Sequence, residues 1–121
     1  MRSLTSPLLK WPDRAAVEAA LHAWVERAAA AHPDVLAIAA FGSFARGEWA
    51  FGSDLDLLVV VHDAGEPSSE RRLSWDTSAL PVPVDLLLYS ASEWRRLHST
   101  PSRFRDTLAK EARWVLGGAP T

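Results

Sequence analysis

The chain has 121 residues, which is the size of a single domain, and 48% of them are hydrophobic, enough to build a core. Its formal net charge of −2 argues against strong non-specific binding to nucleic acids through a broad basic face. The sequence contains no cysteine, which excludes disulfides, thiolate metal sites and a thiol nucleophile. The strongly apolar run from Leu57 to Val61 is too short to span a bilayer, so we expect a cytoplasmic protein without membrane contact.

The first part of the chain predicts a helix, a strand and a short helical turn. Residues 12–31 repeat apolar side chains with the period of an α-helix, and Pro33 follows the end of this segment. The apolar helix face consists of Val17, Leu21, Trp24, Val25 and Ala28. Residues 35–41, VLAIAAF, then predict a strand, and residues 43–47 can form one helical turn.

Two further strands are predicted in the middle of the chain, separated by a polar loop. Residues 55–61 give the clearest strand pattern, and residues 84–89 give a third strand. Pro81 and Pro83 come just before the third strand. Because proline cannot donate to a sheet ladder, this strand begins late or lies at an edge.

The C-terminal part of the chain predicts two helices. Ser90 and Glu93 have the spacing of a capping box, which predicts a helix from there to about His98. A last helix is predicted over residues 102–116. Its apolar face would consist of Phe104, Leu108, Ala112 and Val115. The order of these elements along the chain indicates a small sheet covered by helices.

Two aspartates, Asp54 and Asp56, stand at the head of the clearest strand. Side chains alternate across a strand, so both carboxylates point to the same face, where they could hold one or two hard cations. Without a cation they would repel each other, and at least one would tend to keep a proton. Taken alone, the pair is equally compatible with a turn that carries solvated carboxylates.

The residues before the aspartate pair are suited to binding a phosphate. Gly42 lets backbone N–H groups approach a ligand closely, and Ser43 would cap the next helical turn. Arg46 lies one turn further on with a guanidinium fork that matches phosphate oxygens. The alternative is an ordinary strand-to-helix turn with a solvated arginine. Trp49, in the same loop, could stack on a base or simply pack.

A third carboxylate, Asp85, opens the apolar segment VDLLLY. If this strand lies beside residues 55–61, three carboxylates converge at one end of the sheet. A strand-end aspartate exposed to water is the alternative, and Asp85 by itself does not decide between them. The combination with Asp54 and Asp56 is what favours a shared site.

Together these residues resemble a known signature. The segment GSFARGEWAFGSDLDLLV, residues 42–59, is similar to the G-S-x10-D-x-D pattern of the DNA polymerase β nucleotidyltransferase superfamily. It is most similar to the minimal nucleotidyltransferases of prokaryotes, and the likeness covers about residues 35–89. The resemblance implies an α/β (α+β) fold with a small mixed β-sheet of at least three strands flanked by helices. It would form a single domain over residues 1–121 with C-terminal helices at about 91–116.

The resemblance also implies roles for seven residues. The carboxylates that hold two Mg²⁺ ions and carry the catalysis would be Asp54, Asp56 and Asp85. The residues that bind the phosphates of a nucleoside triphosphate, ATP in the first instance, would be Gly42, Ser43, Arg46 and Ser53. A hydroxyl group would attack the α-phosphorus in line and pyrophosphate would leave, a reaction that needs mainly positioning and positive charge.

Three functions remain open at this point. The first is an enzyme that moves a nucleoside monophosphate onto a hydroxyl of a protein, a nucleic acid or a small molecule. The second is a binding module, the antitoxin of a pair with a small helical HEPN-type toxin, which can either modify that partner or only bind nucleotide. Where no such partner exists, a homodimer is expected. The third is a nucleotide or metal sensor that has lost transfer. The intact set of three acids favours the first over the third.

Overall fold

In the computed structural model, which describes residues 11–120, four strands form one sheet. They are β1 (Val35–Phe41), β2 (Leu55–Val61), β3 (Val84–Ser90) and β4 (Arg113–Leu116). The strand order is β3-β2-β1-β4, with β2 and β3 parallel and the other two pairs antiparallel. The expected α+β fold with a mixed sheet is therefore confirmed, and β3 lies at an edge.

In the part of the chain that the structure describes, five helices accompany the four strands. They are α1 (Arg14–Ala31), α2 (Gly42–Arg46), α3 (Ser68–Arg71, followed by a 3₁₀ turn at Arg72–Ser74), α4 (Ala91–Ser99) and α5 (Arg103–Glu111). Asp13 caps α1 by accepting the Ala16 N–H at 2.8 Å. Ser90 and Glu93 form the predicted capping box of α4. None of the helices in residues 11–120 combines the length and the hydrophobicity that crossing a membrane requires.

One face of the sheet, here called the α1 face, packs against α1. The apolar helix face predicted from the sequence is buried there. From β2 this core receives the alternate residues Leu55, Leu57, Val59 and Val61, all fully buried. Trp75, Leu80 and Val82, which precede β3, close its border.

The opposite face, here called the α4–α5 face, packs against the two C-terminal helices. Leu58 and Val60 of β2 form a smaller buried cluster there with Trp94 of α4 and Leu108 of α5. Because side chains alternate along β2, Asp56 lies on this same face. The α4–α5 face therefore carries both an apolar cluster and, at the start of β2, a carboxylate.

The predicted last helix is wrong in its second half. The helix α5 ends at Glu111, Ala112 is extended, and residues 113–116 form β4, which pairs with β1. Trp114 packs on the α4–α5 face and Val115 on the α1 face, as the two-residue period of a strand requires. The edge of β1 needs a partner strand, and that requirement overrides the helical spacing. Gly117 (φ +66°) follows β4, and this position requires glycine because a Cβ there would stand 2.6 Å from the Leu36 carbonyl oxygen.

Candidate active site

The sheet topology brings the three predicted carboxylates to one end of two neighbouring strands. In the parallel pairing of β2 with β3, Asp56 is the direct partner of Asp85. Asp54 lies two residues before Asp56. Between them, the Leu55 N–H donates to the Pro83 carbonyl at 2.9 Å and so holds the start of β2 beside the segment that leads into β3. Asp56 is half-buried, whereas Asp54 and Asp85 are exposed. The register therefore makes β2 and β3 neighbours, which is the condition under which the sequence predicts that three carboxylates converge.

The half-buried Asp56 has a strained electrostatic environment. Burial raises the pKa of its carboxyl above the ordinary value, and the negative charges of Asp85 and Asp54 raise this pKa further. The positive charge of Arg46 acts in the opposite direction. Hence Asp56 lies in the field of both other carboxylates, and a positive ligand between them would relieve their repulsion.

The three carboxylates are ligands of a kind that suits a hard cation, although they do not form a complete coordination site. Their donor atoms are carboxylate oxygens alone, which are the ligands preferred by Mg²⁺. Within residues 11–120, however, no three Asp, Glu, His or Cys side chains are arranged to hold a metal ion. The negative charges of Asp54 and Asp85 that act on Asp56 suit a divalent cation.

Gly42 fits tightly against Asp56. This glycine, with φ +73°, follows β1 directly, and Phe41 is the partner of Asp56 in the β1–β2 register. A Cβ at position 42 would overlap the Oδ2 atom of Asp56. The turn therefore requires glycine for the carboxylate to keep its position. Ser43 is the second residue of α2 and does not cap it, because the N-cap is Phe41 and no side chain accepts a hydrogen bond there.

Arg46 does not have the unoccupied fork that the sequence suggested. Its Nε donates to Glu48 Oε1 at 3.0 Å, and its Nη1 donates to Glu111 Oε1 at 3.1 Å. Glu111 is the last residue of α5, 65 positions away in sequence, and no local pattern reveals this contact.

Two other residues of the 47–54 loop make packing or turn contacts. Ser53 closes a tight turn, because its hydroxyl accepts the Ala50 N–H at 3.0 Å and its own N–H donates to the Ala50 carbonyl at 3.0 Å. Trp49 donates from Nε1 to the Pro12 carbonyl at 3.0 Å and packs edge-on against Phe44 with 5.5 Å between ring centroids. Trp49 therefore packs, in line with the simpler of its two interpretations.

The sequence interpretation missed a cluster around Phe44, which directly follows the Gly-Ser pair. The Phe44 ring is fully buried, and the guanidinium carbon of Arg14 lies 4.4 Å from its centroid and that of Arg113 5.2 Å. Arg14 also donates to the Phe44 carbonyl oxygen. The buried phenylalanine within a polar, glycine-bounded motif was the one available signal that this turn packs against other elements.

The geometry agrees with comparisons to known proteins. The model of the nucleotidyltransferase domain family matches residues 21–115, which include all seven predicted site residues. No curated protein sequence matches the chain. A Sulfolobus solfataricus protein assigned as a nucleotidyltransferase is 25% identical, with a TM-score of 0.56 over 69% of this chain and 75% of that one.

Two toxin–antitoxin structures share the fold. One, determined with AMP-PNP, is 22% identical, with a TM-score of 0.54 over 80% of this chain and 73% of that one. The other, the toxin–antitoxin MntA–HepT, is 19% identical, with a TM-score of 0.52 over 84% of this chain and 73% of that one.

Proposed function

Because the chain belongs to the nucleotidyltransferase domain family, we propose that it transfers a nucleoside monophosphate from a nucleoside triphosphate to a hydroxyl group. ATP is the proposed donor and pyrophosphate the product. The observation that carries this proposal is the register of β2 and β3, in which Asp56 and Asp85 are direct neighbours and Asp54 precedes them by one strand period.

Each carboxylate has a proposed task. Asp54, Asp56 and Asp85 are the residues that would hold Mg²⁺, which when bound supplies positive charge against these carboxylates and the triphosphate. The acceptor oxygen forms its bond to the α-phosphorus as the bond from that phosphorus to the bridging oxygen breaks. Asp85 is the proposed acceptor of the hydroxyl proton, since it is exposed on the edge strand, where an incoming hydroxyl group has access.

The residues of α2 are proposed to hold the triphosphate. The backbone at Gly42 lies directly beside Asp56, because the absence of a side chain at position 42 lets this carboxylate approach the turn closely. Arg46 supplies a positive charge that acts on Asp56. Phosphoryl transfer depends largely on such positioning and charge balance. Ser53 would support the site by holding the turn before Asp54.

A partner protein is a second part of the proposal. The likeness of fold to the toxin–antitoxin structures supports an antitoxin role beside a small helical toxin of the HEPN type. Asp85 stands exposed on an edge strand, so an acceptor as large as a protein could reach it. Transfer onto such a partner would unite both roles. The alternatives are a non-catalytic antitoxin that only binds nucleotide, and a homodimer.

The test compares nucleotides labelled at the α-phosphate with nucleotides labelled at the γ-phosphate. The purified protein is incubated with Mg²⁺ and ATP, CTP, GTP or UTP, each with host extract, and incorporation of label into protein, nucleic acid and small molecules is measured. We expect incorporation from the α-labelled nucleotide and release of label as pyrophosphate from the γ-labelled one. Incorporation from the γ-labelled nucleotide would instead indicate a kinase and contradict the proposal.

The double variant Asp54→Asn with Asp56→Asn is the matched control, since it keeps side-chain size and removes two charges. It should incorporate no label. It should also lose the rise in melting temperature that Mg²⁺ with ATP gives the wild type by binding only the folded state. A wild type that shows the melting shift but transfers nothing would favour the non-catalytic antitoxin. Equal labelling by wild type and double variant would overturn the carboxylate site.

A further inference from the structure

We propose that Glu111 is a positioning residue that sets, through Arg46, how tightly the site holds the triphosphate of its substrate. This inference rests on the proposed function, because it concerns the same phosphate-binding turn. It adds a residue from α5, far from the motif in sequence, that competes with the substrate for the guanidinium group of Arg46.

The contact is a two-carboxylate clamp on one guanidinium group. Glu48 Oε1 takes the Nε–H of Arg46 at 3.0 Å and Glu111 Oε1 takes an Nη1–H at 3.1 Å. The fork that matches carboxylates also matches phosphates, and an Nε–H carries a single proton. Arg46 therefore cannot present the full fork to a triphosphate while both glutamates hold it.

The two glutamates differ in how firmly they can hold the arginine. The Glu48 side chain is 64% exposed on the loop after α2, so water readily replaces it. The Glu111 side chain is only 21% exposed, because it stands where α5 passes into β4. That junction is itself fixed by the Arg113–Glu18 pair, which ties β4 to α1 at 2.6 Å. Glu111 is consequently the anchored partner of Arg46.

The strength of the clamp is suited to exchange. Arg46 is 39% exposed, and ion pairs at such sites contribute little free energy because solvent screens them. A triphosphate, with several negative charges and oxygens that match the guanidinium fork, displaces the more exposed Glu48 first and then competes with Glu111 for Arg46. The Glu111 carboxylate also adds a negative charge near the bound phosphates. Both effects lower affinity, so removing the charge of Glu111 should raise it.

The experiment measures binding of two probes, Mg²⁺ with ATP and Mg²⁺ with inorganic tripolyphosphate, by calorimetry. The variants are Glu111→Gln, Arg46→Ala, their combination, and Asp106→Asn. Asp106 lies on the same helix, is exposed, and contacts Arg105 instead of Arg46. Melting temperatures confirm that each variant is folded. Tripolyphosphate tests the phosphate turn without requiring any base recognition or transfer.

We expect Glu111→Gln to bind both probes about two- to fivefold more tightly, the size of an exposed ion pair, and Asp106→Asn to change affinity by less. In the Arg46→Ala background Glu111→Gln should have no effect. In transfer assays KM should fall while kcat stays unchanged. An equal gain in the Arg46→Ala background, or no gain at all, overturns the inference.

The two probes distinguish a failure of the proposed function from a failure of the inference about Glu111. Tripolyphosphate binding without ATP binding by the wild type overturns the proposed nucleotide donor, and the tripolyphosphate data still decide the role of Glu111. Binding of ATP with no gain in Glu111→Gln overturns the inference and leaves the proposed function standing. If the wild type binds neither probe, both are overturned.

Discussion

The two faces of the sheet are packed to different depths. On the α1 face an 18-residue helix and the segment before β3 bury a continuous core. On the α4–α5 face two nine-residue helices cover a cluster centred on Leu58 and Val60, beside a groove of about 250 Å³ bounded by α4, α5 and β4. The carboxylates stand at the end of the thinner face. The α1 face, here also called the deep face, stabilises the sheet. The α4–α5 face, here also called the thin face, leaves Asp56 within reach of water and ligands.

The sharpest test of this comparison uses two neighbours on β2. Leu57 faces α1 and Leu58 faces α4 and α5, and both are fully buried. We expect Leu57→Ala to lower the free energy of unfolding by about 4 kcal/mol and Leu58→Ala by about 2–3 kcal/mol, because α4 and α5 can close over the smaller cavity. Urea denaturation measures both. Equal losses would mean that the two faces support the fold alike.

The next effect concerns Asp85, where the thin face meets the edge strand. Asp85→Asn is nearly isosteric and should reduce transfer at least about a hundredfold, the low end for lost general acid–base help. Triphosphate affinity should stay within a few-fold of wild type, whereas Asp54→Asn should weaken both. Single-turnover transfer and calorimetry separate the two quantities. Unchanged transfer in Asp85→Asn would mean that Asp85 is only a solvated carboxylate at the end of a strand.

A smaller loss of stability is expected where α1 contacts the turn beside Asp56. Arg14 begins α1, yet it donates to the Phe44 carbonyl and lies over the Phe44 ring in the turn beside Asp56. Arg14→Met should lower the free energy of unfolding by about 1.5–3 kcal/mol, the range for a hydrogen bond to a charged group. Arg27→Met, at an exposed position of the same helix, is the control and should change it by less than about 0.5 kcal/mol. Similar losses in the two variants would dismiss the Phe44 contact.

The smallest effect is a pH dependence at the start of α4. The Ser90 N–H, together with the Ser68 hydroxyl, lowers the pKa of Glu93 below its ordinary value of 4.5. A carboxyl whose pKa is lowered by folding stabilises the protein above its unfolded pKa, and that contribution is lost as the pH falls through the folded pKa. Glu93→Gln should therefore cost at most about 1 kcal/mol at neutral pH and less in acid. Denaturation midpoints at pH 7 and pH 3 decide this, and a difference that grows in acid would contradict it.

The sequence predicted those features that depend on local pattern. The buried face of α1, the capping box at Ser90 and the strand at 55–61 each follow from residues close together in the chain. The sequence brought Asp56 and Asp85 together only on the condition that their strands are neighbours, and the register of the structure supplies that condition. The assigned roles of these residues remain predictions.

The remaining features depend on contacts between distant segments. The strand β4 satisfies the free edge of β1, and its residues fit helical spacing equally well, so periodicity could not identify it. The contacts of Arg46 with Glu111 and of Arg14 with Phe44 join positions 65 and 30 residues apart. Only the folded chain brings these groups together, and no spacing rule anticipates them.

The parallel pairing of β2 with β3 also bears on the order in which the chain folds. The strands β1 and β2 are antiparallel and separated by residues 42–54, so they can pair early as a local hairpin-like unit. The strand β3 can join only after residues 62–83 have crossed over, and closing a longer loop loses more chain entropy. Asp85 therefore reaches Asp56 only after β1 and β2 have paired, in a step that brings like charges together. We expect this step to accelerate with ionic strength, while pairing of the apolar β1 and β2 does not.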